Sequence, residues 1–141
     1  MIQEKFVAVD IEKIKGRVKA FATEFVQDVG QAVVEATPVK TGFLRGSWWA
    51  KINGDAEGPG SPDPSGSVAV SRMALVAAEL QLGDKYTMNN GAAYAARMEF
   101  GFVGTDSLGR KYNQQPRAFV RSTIDNAETI AEATAERVSK L

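Results

Sequence analysis

Between Asp10 and Ala36 the apolar side chains fall at Ile11, Ile14, Val18, Phe21, Phe25, Val29, Val33 and Ala36. Gaps of three and four predict one amphipathic helix, with Lys13, Lys15, Arg17, Lys19, Glu24 and Asp28 largely off its apolar stripe. Gly16 and Gly30 weaken it by roughly 1 kcal/mol each relative to alanine. Pro38 ends it, because the residue before a proline is pushed out of helical geometry. TPVKTGFLR then reads as a junction: Thr41 caps the next element, Gly42 permits a close approach or an unusual backbone angle, and Phe43 to Arg45 make a short turn. SWWAKI reads as a strand. Trp48 and Trp49 therefore point to opposite faces, one into the core and one towards a surface or an interface.

GDAEGPGSPDPSGS, residues 54–67, has no apolar anchor. It is expected to be a mobile loop, or a segment that orders when a neighbouring subunit covers it. Asp55, Glu57 and Asp63 make it a negative flap. Val68 and Val70 are expected to finish a strand, and Ser71 to cap a helix running to about Leu82, with Gly83 as its stop. DKYTMNN reads as a short strand ending in an Asn-Asn-Gly turn. AAYAARMEFG is helix-compatible, with Tyr94 and Met98 one turn apart and Gly101 at its end. FVGTDSLGRKYNQQ reads as a hairpin or extended loop over about 102–115, turning near Ser107 to Gly109. From Pro116 a second long helix is expected, with Val120, Ile124, Ala127, Ala131, Thr134, Val138 and Leu141 on its stripe. Glu128, Glu132 and Glu136 share another face, and like charges in that register repel, so that face is expected in solvent. The order of elements predicts a single α+β domain, 1–141. Its small, mostly antiparallel sheet packs against a long N-terminal and a long C-terminal helix, with two extended loops.

Composition narrows the chemistry. With 17 basic and 17 acidic residues the chain is formally neutral, which gives no support to nucleic-acid binding through bulk charge. It has no cysteine and no histidine, so disulfides, thiolate or imidazole metal sites and histidine bases are excluded. No GxGxxG or GxxxxGK pattern is present. An enzyme would have to rely on carboxylate, lysine, tyrosine or serine chemistry, and no pair of these has diagnostic spacing. The opening MIQEKFVAVDIEKIKGR carries charge from the start and no signal-like apolar run, and no stretch approaches a membrane span. The expectation is a chain made in the cytoplasm, or carried out within an assembly. The locally basic spot, Arg110 and Lys111 followed by Arg117 and Arg121, is the feature a nucleic-acid binder would use.

Two dense stretches remain, TPVKTGFLRGSWW and NNGAAYAARMEFG, followed by QQPRAFVRSTIDNA. In this order they resemble the tail-component and neck proteins of long-tailed, double-stranded DNA phages, the tail completion proteins. The resemblance is carried by Thr37, Pro38, Val39, Thr41, Gly42, Leu44 and Arg45, then Asn89, Asn90, Tyr94, Ala95, Glu99 and Gly101, then Pro116, Phe119 and Arg121. It covers most of the chain from about residue 30. The long glycine–proline loop and the basic hairpin are less typical of the family. The resemblance implies a structural virion subunit, not an enzyme, with no cofactor and no metal. It also implies a homo-oligomeric ring, commonly sixfold, at the head–tail junction. Its partners there would be itself, the head connector or stopper, and the tail terminator or tail tube. DNA would pass through the lumen without specific binding, and the protein, made in the host cytoplasm, would end in the virion. An adjacent connector ring (adaptor, stopper or terminator) is the alternative within the class.

Within that frame, Arg45 and Glu99 are each embedded beside apolar residues. Either they approach and pin the TG turn against the YA segment, or both are solvated and independent. The candidate interface residues are Trp48, Trp49, Asp55, Glu57, Asp63, Arg110 and Lys111, on the two loops and the strand before the first of them. Acids of the flap, or of the Glu128, Glu132 and Glu136 face, are candidates for lining the bore.

Overall fold

The computed structural model describes residues 8–140. Leu141 of the C-terminal stripe and the first seven residues lie outside the described residues. The predicted first helix is present as α1, Ile11–Ala36. The Asp10 carboxylate accepts from the Lys13 amide at 3.0 Å and closes its first turn, as a short acceptor at an N-cap does. Its apolar stripe is not one buried face. Val33 and Val34 are core, whereas Ile11, Ile14 and Val18 are about half exposed. The reason is tertiary: the side-chain hydrogen bonds that other elements make with α1 begin at Lys19, whose ammonium donates to Gln81. The turns before it project beyond the body.

Strand β1, Trp48–Ile52, pairs antiparallel with β2, Tyr86–Asn90, in the register Trp48↔Asn90 to Ile52↔Tyr86. Between them lies helix α2, Ser67–Ala77, which corrects the expected strand at Val68 and Val70. Helix wins because Ala69, Met73 and Ala77, spaced by four, are all buried while Val68 is exposed. Asp63 supplies the start that Ser71 was expected to give: its carboxylate accepts from the Ala69 amide at 2.9 Å. The helix also stops short of Leu82. Leu80 turns back into the core, and the Asp84 carboxylate accepts from the Gln81 amide at 2.8 Å, fixing the adjoining turn.

Helix α3, Ala95–Phe100, ends at Gly101 (φ 79°), a backbone angle that favours glycine. A hairpin comes next, β3 Phe102–Thr105 with β4 Lys111–Gln114. The fold is therefore α+β, with two separate two-stranded antiparallel sheets among the described residues. The expected long C-terminal helix is two helices, α4 Phe119–Asp125 and α5 Ala127–Ser139, divided at Asn126. It begins three residues after Pro116, behind Ala118 (φ 44°). Ser122 and Thr123 both turn their hydroxyls back onto the Phe119 carbonyl, a bond that bends helices. The bend returns α5 along α1, where buried Thr134 donates to Asp28 at 2.6 Å and Arg137 pairs with the same carboxylate at 2.7 Å. Glu128, Glu132 and Glu136 are exposed, as the charge pattern predicts. The core is Val33, Val34, Leu44, Trp48, Ala50, Ala69, Met73, Ala92 and Phe119.

Candidate assembly joints

The first joint forms where α1 ends. The Thr37 amide bonds Val34 O, its hydroxyl donates to Val33 O at 2.6 Å, and the same oxygen accepts from Trp48 Nε1 at 3.0 Å. One buried threonine thus closes the helix and fixes the indole that enters the core. Trp48 then meets Phe119 edge-on, with ring centroids 6.3 Å apart, a favoured aromatic geometry. Arg45 finishes the end of α1: its guanidinium donates to the carbonyls of Glu35, Thr37 and Pro64, each at 2.9 Å. A cation on the last carbonyls of a helix also meets the negative end of its dipole. Thr41 accepts from the Phe43 amide at 3.3 Å and shapes the turn that leads into the single 3-10 turn Arg45–Ser47. Gly42 (φ 86°) carries both features expected of it, since a Cβ there would stand 2.4 Å from the Pro64 nitrogen.

The second joint fuses α3 to α4. Glu99 is only 7% exposed. Its carboxylate accepts from the amides of Val120 at 2.7 Å and Arg121 at 3.0 Å, the first turn of α4. Its own carbonyl accepts from Ala118, and that of Met98 from Arg117. Pro116 packs against Gly101, where a Cβ would lie 2.7 Å from Gln114 O. Tyr94 lies near Phe43, ring centroids 6.4 Å apart, so this segment also touches the TG turn. Arg45 and Glu99 do not pair, and neither is a free solvated charge. Each is consumed in closing a helix end, Arg45 the carbonyl end of α1 and Glu99 the amide end of α4. Helix termini present several unpaired groups in one direction, and such a cluster holds a side chain of complementary charge better than a single distant ion does.

The 54–67 segment is anchored, contrary to its composition. Ala56 and Asp63 are buried. Trp49 Nε1 donates to Pro59 O at 3.1 Å, Asn89 to Ala56 O at 3.2 Å, and the Asp63 amide to Gly42 O at 2.9 Å. Its glycines admit this packing: a Cβ on Gly58 would lie 2.0 Å from the Trp49 ring. Asp63 is therefore buried and engaged with the first turn of α2, whereas Asp55 and Glu57 are exposed. Trp49 lies under the loop on one side and against the Arg72 guanidinium, 3.9 Å from its centroid. Arg72 lies outside every motif that the sequence singles out. It donates to the carbonyls of Gly46 and Trp48, and burial lowers its pKa against the opposing charge of Asp63. The available signal was a lone charge in the apolar run SVAVSRMALVAA. Asn90 is likewise a brace, donating to Leu44 O at 2.7 Å and accepting from the Ala92 amide at 3.1 Å.

At the hairpin tip Asp106 accepts from the amides of Leu108 and Arg110, from Arg110 Nε and from the Tyr112 hydroxyl. Burial tends to raise its pKa, but the bonds from Arg110 and Leu108 hold it below the ordinary aspartate value. Arg110 is thereby engaged and Lys111 is exposed. Arg121 pairs with Asp125 at 3.2 Å. Beside the second joint lies an open apolar groove of about 490 Å³, with Val29, Met88, Ala95, Phe100, Phe119 and Ile124 among its walls. Among the described residues no cluster of acids could hold a metal ion, and no helix is long and apolar enough to cross a membrane. A scan of protein-family models found no match, and searches of curated proteins and of solved structures found none either.

Proposed function

We propose that this protein is a structural subunit of a long-tailed phage, a tail completion or neck protein. In this reading it closes into a ring, about sixfold, that joins the head connector to the tail and lets DNA pass. The motifs that carry the resemblance support this reading by what they do. TPVKTGFLR, YAARMEFG and PRAFVR meet at two adjoining joints, and their charged members, Arg45 and Glu99, are spent on helix ends. That is how a framework uses its distinctive residues. Exposed apolar side chains lie on the projecting turns of α1 and on the hairpin, and also at Val39, Tyr94 and Phe100 within the motifs, where a neighbour could cover them. A ring results when one surface of a subunit meets a different surface of the next and the rotation closes.

The test is native mass spectrometry and electron microscopy of the full-length protein, alone and with isolated tails. A closed ring in either condition is the expected result. A monomer in both, or absence of the chain from finished virions, would overturn the reading.

A further inference from the structure

Each of the two small sheets has an edge strand whose outward backbone groups are bonded by no described residue. In β1–β2 the flanking bonds Gly91 N to Ser47 O and Asn53 N to Lys85 O extend the ladder at both ends. Bonded and non-bonded pairs alternate along an antiparallel ladder, so Tyr86, Met88 and Asn90 turn their backbone N–H and C=O away from β1. No described residue bonds those groups. On the opposite edge Arg72 donates to Trp48 O and so occupies one end of the outward row of β1. In β3–β4 the bond from Asp106 N to Arg110 O sets the same alternation and turns the Val103 and Thr105 groups outward. The β4 edge carries Lys111, a charge that discourages strand pairing. The β3 edge, FVGT, carries none, and Val103 is 78% exposed.

We infer that neighbouring copies join by strand addition, with β3 of one subunit pairing along the free β2 edge of the next. This rests on the ring reading and names the joint within it. The strands match in length, four residues against five. Met88, Asn89 and Asn90 all line the apolar groove. Successive strand side chains point to opposite faces, so three consecutive residues on one groove place it along the strand edge, where Val103 of the entering strand would find apolar cover. Charge agrees: exposed Asp55 and Glu57 flank Ala56, which is bonded to Asn89 of β2, whereas the hairpin brings the exposed Lys111, its Arg110 being paired with Asp106. A two-stranded sheet is a marginal unit alone, and the addition makes one four-stranded sheet from two. The contact joins unlike surfaces, as ring closure requires.

The chain has no cysteine, which allows a clean crosslinking experiment on the full-length protein. Thr87→Cys is mixed with single cysteine variants at positions 102 to 105 and oxidised. The expected result is a disulfide between unlike variants for at least one pairing. Val103→Pro removes an outward N–H that the hairpin does not use, so it should leave the monomer's circular dichroism unchanged and abolish oligomers, whereas Val103→Thr should retain them. Rings that form without any such crosslink, or that persist with Val103→Pro, overturn this joint and leave the ring reading standing. Crosslinking of Thr87→Cys to itself alone would mean a reciprocal dimer and also overturn it. Unlike-pair crosslinks in open chains that never close would support the joint and count against the ring.

Discussion

Replacing Glu99 by glutamine tests the second joint with almost no change in shape. The carboxylate now accepts two amide protons from the first turn of α4, at 2.7 and 3.0 Å. A glutamine can turn its one carbonyl oxygen to one amide, but its NH2 then faces the other, donor against donor. An amide left without a partner at a buried site costs about 1–3 kcal/mol, and the surviving bond loses about 1 kcal/mol when its acceptor is no longer charged. The sum is about 2–4 kcal/mol, a large share of the roughly 5–15 kcal/mol that stabilises a domain. At about 3 °C per kcal/mol for a chain of this size, Tm should fall by roughly 6–12 °C in far-UV circular dichroism, with a matching loss in the urea midpoint. A second variant, Arg45→Met, separates this account from direct pairing of the two residues. Because they close different helix ends, the losses in the double variant should add to within about 0.5 kcal/mol. A Glu99→Gln loss below about 0.5 kcal/mol, or a coupling above about 1 kcal/mol, would refute the reasoning.

Thr37→Val keeps the shape of the side chain but leaves the Trp48 indole N–H buried without its acceptor; a loss of about 2 kcal/mol is expected from urea unfolding. Gly46→Ala would place a Cβ 1.7 Å from Ser61 O, which forces the loop off the joint. The expected loss is about 3 kcal/mol or more, with faster protease cleavage between 54 and 67. Burial pushes the Tyr86 phenol up to about 12, above its unfolded value near 10. Its stabilising contribution is therefore complete below about pH 10 and is lost as pH rises towards 12. The ceiling of about 2.7 kcal/mol shrinks to roughly 1 kcal/mol because the ring is partly solvated, and the Tyr86→Phe variant should lack this part of the alkaline decline.

The elements whose evidence is local were legible without coordinates. The spacing of apolar residues marked α1, the Trp-Trp alternation marked β1, and Asn-Asn-Gly marked the end of β2. Gly42 announced a close approach or an unusual backbone angle, and Gly101 the end of α3. The α+β class comes from that order alone, because each element must bury one face against another. The motif residues were also visible as a set, since Arg45 and Glu99 stand beside apolar residues and Thr37 belongs to the same dense stretch as Arg45.

The contacts those residues make were decided only by the tertiary structure. In one dimension Arg45 and Glu99 read either as a pair or as two solvated charges, but each finds a helix end, whose aligned backbone groups exist only once the helices are formed and placed. The 54–67 segment reads as unanchored because its anchors are Trp49, Asn89 and Gly42, far away or on another element. Val68 and Val70 read as strand because β-branched residues favour it locally. The buried line of Ala69, Met73 and Ala77, together with the cap from Asp63, overrides that preference through long-range packing. The same reason explains the projecting turns of α1: periodicity marks an apolar face, and only the positions of the neighbouring elements determine how much of that face is covered.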